Sequence, residues 1–132
     1  MHPSVTGETP DPAHFEALAR TAFARIPEPF AEHLTDIRVR VEDFADEDTL
    51  RALGLTSRWQ LYGLYHGHPL DKQSIWSSGT MPPVITLYRM PLVREWRETG
   101  TSLEAIVNHV VVHEVGHHFG LSDADMEALE AE

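Results

Sequence analysis

The chain has 132 residues and a formal net charge of -11, from 10 basic and 21 acidic residues. This length fits one domain that buries roughly two-thirds of its unfolded surface. The acidic excess argues against nucleic acid and anionic membranes as partners, because both require a basic patch. The sequence has no cysteine, which excludes disulfides, thiolate nucleophiles and cysteine-based zinc sites. Any metal ion must therefore be held by His, Asp or Glu.

Residues 1–12 have neither the basic start nor the apolar centre of a secretory signal, and their Pro, Gly, Ser and Thr content predicts a flexible tail. We expect residues 13–132 to form a single domain. No apolar run approaches the ~18 residues of a membrane span. Together these features predict a water-soluble protein located in the cytoplasm.

The first half of the chain predicts a helix, a strand and a second, shorter helix. Apolar residues recur at three- and four-residue spacing from Phe15 to Ile26, as in an amphipathic helix. Alternating apolar and basic residues over 37–41 predict a half-buried strand. The acidic run at 42–48 lacks the spacing of a calcium loop and is interpreted as a solvated segment. Within it, Asp46 is suited to cap a short helix.

The second half predicts two strands and three helices. Residues 60–65 contain aromatic and aliphatic strand formers, and residues 84–88 are the strongest strand by β-branched content. A helical piece is expected over 92–98. A capping-box sequence at 101–104 begins a long helix that Gly120 can end, and a final helix follows. The predicted fold class is α+β, with a small mixed sheet packed on the long helix.

The long helix carries an H-E-x-x-H pattern, formed by His113, Glu114 and His117. Residues four apart share one helix face, with Cα atoms roughly 6 Å apart, so both imidazoles can reach one metal ion. Gly120 and Asp123 extend the pattern to H-E-x-x-H-x-x-G-x-x-D. The glycine permits a reversal that can return Asp123 to the ion as a third ligand. Three protein ligands leave a fourth position for water, as in catalytic zinc sites.

Glu114 is the expected general base, acting on a water whose pKa the metal lowers towards ~7. The alternative for Asp123 is an acid that the helix macrodipole favours in a first turn, without any metal. His118 is rotated about 100° from His117, and the Cα of His109 lies roughly 12 Å along the axis from that of His117. We therefore expect His109 and His118 to lie outside the set of ligands.

Hydrolysis also requires a donor for the developing oxyanion, and the sequence leaves the choice open. The candidates are Tyr62, Tyr65, Tyr88, His66 and His68.

Two functions fit these patterns. The first is a zinc-dependent metallopeptidase that acts on a peptide or protein substrate. The second is a non-catalytic module, stabilised by the same metal, that binds a protein or peptide partner. The first is favoured because Glu114 has no structural duty in a three-ligand site. The sequence leaves the natural substrate and the oligomeric state open.

The chain is similar to a known family from about Phe15 to Asp125. The sequence blocks that carry this similarity are residues 41–43, 53–55, 63–70, 83–89 and 112–123. On these blocks the chain resembles the small bacterial zincin-like metallopeptidases. The resemblance implies a compact α+β fold of the minimal zincin type and Glu114 as the catalytic acid and base. It also implies zinc bound by His113, His117 and Asp123.

Two local expectations follow from the same resemblance. In zincins generally the peptide lies extended along an edge strand above the motif helix, so residues 84–88 are expected to be that edge strand. His66 and His68 stand where the family has other residue types, which indicates a loop peculiar to this chain.

Overall fold

The computed structural model describes residues 9–28, 30–67 and 83–131, apart from the side chains of His33, Asp123 and residues 129–131. Five helices and three strands make up the described chain. In chain order they are α1 (Pro12–Ala24), β1 (Arg38–Glu42), α2 (Glu47–Ala52), β2 (Gly63–His66), β3 (Val84–Tyr88), α3 (Arg89–Thr99), α4 (Leu103–Phe119) and α5 (Asp123–Ala131). The architecture is α+β, as the sequence predicted.

The sheet has the order β1-β3-β2, in which β1 runs parallel to β3 and β2 runs antiparallel to it. The prediction that residues 84–88 form the edge strand is therefore wrong. All five residues of β3 are buried, because a strand paired on both sides and covered on both faces has no solvent-facing side chains. Its first three residues, 84–86, are β-branched, which is typical of a strand with both faces buried. Strand β2 is an edge strand of the sheet, and it lies against α4.

Two elements, β2 and α3, start three residues away from the positions that the sequence predicted. Gln60 belongs to a short 3-10 turn rather than to β2, because its side chain accepts a hydrogen bond from the Ser57 amide (3.1 Å) and closes a capping box. Helix α3 starts at Arg89, three residues earlier than predicted. Pro91 does not prevent this start, since a first-turn amide has no partner within the helix.

Helix α1 begins as the sequence indicates. Asp11 caps it by accepting a hydrogen bond from the His14 amide (3.0 Å), and Phe15 and Ala19 are fully buried against the rest of the core. Immediately before α1, the carbonyl of Pro10 accepts a hydrogen bond from Arg89 (2.9 Å). The sequence predicted a flexible tail over residues 1–12. Residues 1–8 lie outside the described residues, so for them the tail stays a prediction.

Helix α4 is the element around which the others pack. It contacts α1, α3, α5, β2 and β3. Ser102 caps its start by accepting a hydrogen bond from the Ala105 amide (3.1 Å), and Gly120 ends it in the left-handed conformation (φ 69°). Gly120 ends the helix as the sequence predicted, whereas the observed cap, Ser102, lies one residue after Thr101, where the predicted capping box begins. Within the described residues no helix has the length and apolar character needed to cross a membrane.

Strand β2 lies against α4 at Gly63, where the strand backbone packs closely on the side chain of Val110. A Cβ atom at Gly63 would lie 2.6 Å from Cγ1 of Val110, which is closer than two carbon atoms can pack. The glycine thus allows the edge strand to lie directly on the helix that carries the H-E-x-x-H pattern.

Candidate active site

A cleft of about 230 Å³ opens where the edge strand meets the motif helix. Residues 60–63 line it on the strand side, and His109, Val110, His113 and Glu114 line it on the helix side. Two of the three residues of the H-E-x-x-H pattern therefore face this cleft. The third residue, His117, lies one turn further along α4.

Glu114 is the buried charged group of the site, and only 12% of its side chain is exposed. Its Oε1 atom lies 3.3 Å from Nδ1 of His117, and the backbone N–H of Tyr65 donates a hydrogen bond to the carboxylate. The imidazole is close but not aligned as a hydrogen-bond donor, so we interpret that contact as electrostatic. Oε1 has no hydrogen-bond partner among the described residues.

Burial raises the pKa of Glu114, while the nearby His117 imidazole and the Tyr65 amide oppose the rise. The net direction is upward, because the removal of water is the largest of these effects. A carboxyl group with a raised pKa binds a proton more readily than an exposed one.

The pairing of β2 explains why the Tyr65 amide reaches Glu114. The amide of Tyr88 donates to the carbonyl of Tyr62 (3.0 Å), and hydrogen-bonded pairs alternate along an antiparallel ladder. In the observed register Gly63 and Tyr65 are then the residues of β2 whose backbone groups point away from β3. These outward groups face α4 and the cleft.

His113 and His117 lie on one side of α4, as their spacing requires. The ring of His113 is tilted against that of His109, with centroids 4.4 Å apart and planes at 50°. The ring of His117 is 56% exposed and contacts Glu114. The structure thus brings the residues of the pattern together on one helix surface, with His109 stacked at its near end.

The predicted third ligand remains untested. Asp123 is the first residue of α5, but its side chain lies outside the described residues. No group of three or more His, Asp or Glu residues suited to a metal ion occurs among the side chains that are described. The assignment of Asp123 to the metal stays a prediction.

His118 points away from the motif face, as its position on the helix predicted. It is buried (3% exposed), and its Nδ1 atom lies 2.8 Å from the hydroxyl of Tyr65. Tyr65 therefore contacts α4 at two residues. Its backbone N–H donates to Glu114, and its hydroxyl lies beside His118.

The candidate oxyanion donors lie in different parts of the structure. Tyr88 is buried in the core (3% exposed), and burial raises its pKa to about 12. Tyr62 lines the cleft, and its hydroxyl donates to Glu95 (3.1 Å). His66 is exposed at the end of β2, and His68 lies outside the described residues. Among the candidate side chains that the structure describes, that of Tyr62 lines the cleft.

The turn between α4 and α5 is a Schellman motif. The amide of Leu121 donates to the carbonyl of Gly116 (2.9 Å), and the amide of Gly120 donates to that of His117 (3.3 Å). Ser122 then caps α5 by accepting a hydrogen bond from the Asp125 amide (3.2 Å), as the sequence predicted. The chain therefore reverses within three residues of the last helical residue of α4.

Sequence reasoning missed the role of Gly116, which lies inside the H-E-x-x-H pattern. A Cβ atom there would lie 2.1 Å from Sδ of Met126, so the glycine allows α5 to pack directly against α4. A signal was present, because glycine inside a helix costs about 1 kcal/mol relative to alanine and usually has a packing reason. The packing brings the start of α5 back towards the motif.

Comparison with known proteins identifies one family. The family model described as zincin-like metallopeptidase matches residues 34–132, three quarters of the chain. The match covers β1 to α5 and includes every residue of the cleft. No curated protein matches the chain.

Proposed function

Because the chain belongs to the zincin-like metallopeptidase family, we propose that it is a zinc-dependent peptidase in which Glu114 acts as the general base. The metal ligands in this proposal are His113, His117 and Asp123. The observation that carries it is the buried carboxylate of Glu114, which lines a cleft beside the two histidines.

The residues present suit a zinc ion. Two imidazoles and a carboxylate are the ligand types of catalytic zinc sites that contain no cysteine. The buried Oε1 atom of Glu114 supports the same assignment, because an unpartnered buried carboxylate oxygen is costly unless a cation or a water molecule lies beside it. Zinc, when bound, would supply a Lewis acid that polarises a scissile carbonyl and lowers the pKa of a water molecule.

The protein's own groups have distinct tasks in this proposal. The Tyr65 amide fixes the carboxylate of Glu114 in place, and burial raises the pKa of the carboxyl group. Glu114 accepts the proton of the attacking water and delivers it to the leaving amine. The outward carbonyl of Tyr65 and the outward backbone groups of Gly63 offer an extended peptide an edge along which to align.

The proposal is tested by the Glu114→Gln variant on a peptide library. We expect kcat to fall by roughly 10²- to 10⁴-fold, because proton transfer by a positioned side chain contributes that much. Zinc content should remain at the wild-type level, since Glu114 is not a ligand. The matched control is Glu104→Gln, which changes an exposed glutamate of the same helix and should cut peptides like the wild type.

Retained cleavage by Glu114→Gln contradicts the proposed mechanism. A protein that holds zinc, melts at a lower temperature on chelation and cuts no peptide would instead be the metal-stabilised binding module.

A further inference from the structure

A second cavity, of about 450 Å³, opens beside the cleft of the candidate active site. The two share Tyr62, His109 and Val110 as lining residues, so they are adjacent. A peptide that lies in the cleft along β2 can therefore place one of its side chains in this second cavity. We call it the Glu95 cavity, after the residue that α3 contributes to its wall.

The Glu95 cavity combines an apolar wall with one carboxylate. Ala105, Ile106 and Val110 form the wall along α4, and Glu95 faces them from α3. The hydroxyl of Tyr62 donates a hydrogen bond to Oε1 of Glu95 (3.1 Å). A carboxylate offers about four lone-pair positions, so this hydroxyl leaves most of them available to a ligand.

The cations nearest to Glu95 along α3 are directed elsewhere. The guanidinium of Arg94 lies over the ring of Trp59, 4.6 Å from its centroid, and Arg97 donates to the hydroxyl of Thr9 (3.1 Å). In the part of the chain that the structure describes, no ion pair joins Glu95 to a basic residue. Burial raises the pKa of Tyr62, and its hydrogen bond to Glu95 raises it further, so the tyrosine remains a neutral donor.

We propose that the Glu95 cavity binds the cationic side chain of one substrate residue, arginine above all, with the Glu95 carboxylate as its partner. This inference rests on the proposed peptidase function and names its substrate class. The aliphatic stem of an arginine packs along Ile106 and Val110 while its guanidinium reaches the carboxylate in a two-point hydrogen bond. The net charge of -11 adds a general attraction for basic peptides.

Other side chains fit the cavity less well. An apolar side chain would remove water from Glu95 without supplying a partner, and an acidic side chain would be repelled. A lysine reaches the carboxylate as a single point charge and gains less than the planar guanidinium. Arginine is therefore the occupant that satisfies both the apolar wall and the carboxylate.

Paired peptides test the proposal. In one parent peptide, arginine and its neutral isostere citrulline are placed in turn at every position, and kcat/KM is measured for each pair. We expect one position at which arginine exceeds citrulline by about 10- to 100-fold, the range of a hydrogen bond to a charged group. Glu95→Gln should reduce this ratio to within about threefold.

The control is Glu98→Gln, which removes the same charge from an exposed position one turn along α3 and should keep the ratio. Glu95→Lys should reverse the preference, so that a glutamate peptide is favoured over an arginine peptide at that position. An arginine-to-citrulline ratio that survives Glu95→Gln overturns the proposal, and so does the absence of a preferred position.

A binding measurement separates this proposal from the peptidase proposal. The same peptide pairs are titrated into Glu114→Gln protein and followed by fluorescence anisotropy. If the wild type cuts no peptide but arginine peptides bind this variant more tightly than citrulline peptides, the peptidase proposal fails and the cavity proposal stands. Equal binding of every pair, or no binding at all, overturns the cavity proposal.

Discussion

Helix α4 carries two stripes of side chains with the same four-residue spacing. One is a valine stripe, which is buried in the core and consists of Val107, Val111 and Val115. The other is a histidine stripe, which reaches the surface and consists of His109, His113 and His117. Since the stripes are offset by two residues, about 200° around the helix axis, they lie on opposite faces.

The difference between the stripes lies in what covers them. The valine stripe belongs to the core cluster, together with side chains of α1 and β3. The histidine stripe is bordered by the edge strand β2 and an open cleft. If the histidines bind a metal ion as proposed, metal binding and core packing belong to opposite faces of one helix. A substitution on the valine face should change the free energy of unfolding, and one on the histidine face should change metal binding.

The largest change in stability is expected from Val111→Ala. Val111 is fully buried, so the variant loses apolar contacts and leaves a cavity, which should lower the free energy of unfolding by about 2 kcal/mol. Zinc content of the folded protein should not change. Urea denaturation and metal analysis of the same sample check this. A variant that folds with wild-type stability but loses zinc would show that the valine stripe contributes to metal binding rather than to stability.

A smaller change is expected from Gly116→Ala, which affects both regions. Its Cβ atom would overlap Met126, and overpacking of about 1–3 kcal/mol is partly offset by the helix propensity of alanine, about 1 kcal/mol. Because α5 must shift, and Asp123 with it, zinc affinity should fall severalfold. Thermal unfolding and zinc titration measure the two effects.

The matched variant adds Met126→Ala to Gly116→Ala. A side chain that ends at Cβ removes the overlap, so zinc affinity should return towards the wild-type value. Gly116→Ala protein that binds zinc as tightly as the wild type would show that the packing of α5 does not position the third ligand.

Local signals predicted much of this fold. The cap at Asp46 and the reversal at Gly120 depend on side chains and backbone groups within a few residues, and both are observed. The position of β3 was mispredicted, because strand order depends on pairing between segments distant in the chain.

The candidate site also combines a feature that local sequence predicts with contacts between residues distant in the chain. The common face of His113 and His117 follows from helix periodicity alone. The bond between Tyr65 and His118 joins residues 53 positions apart, and the contact of Gly116 with Met126 requires α5 to fold back on α4. Neither contact has a local pattern from which to predict it. The Glu95 cavity is also non-local, since α3, α4 and Tyr62 form it together.

The central claim is that the histidine face and the start of α5 hold one zinc ion. Metal analysis of the purified protein tests it most directly, with a series of alanine variants prepared in parallel. We expect about one zinc per chain in the wild type, and none in the Asp123→Ala variant or the double variant His113→Ala with His117→Ala. The controls His109→Ala and Asp125→Ala should keep the zinc. A wild-type protein without stoichiometric metal, or a double variant that retains it, would contradict the account.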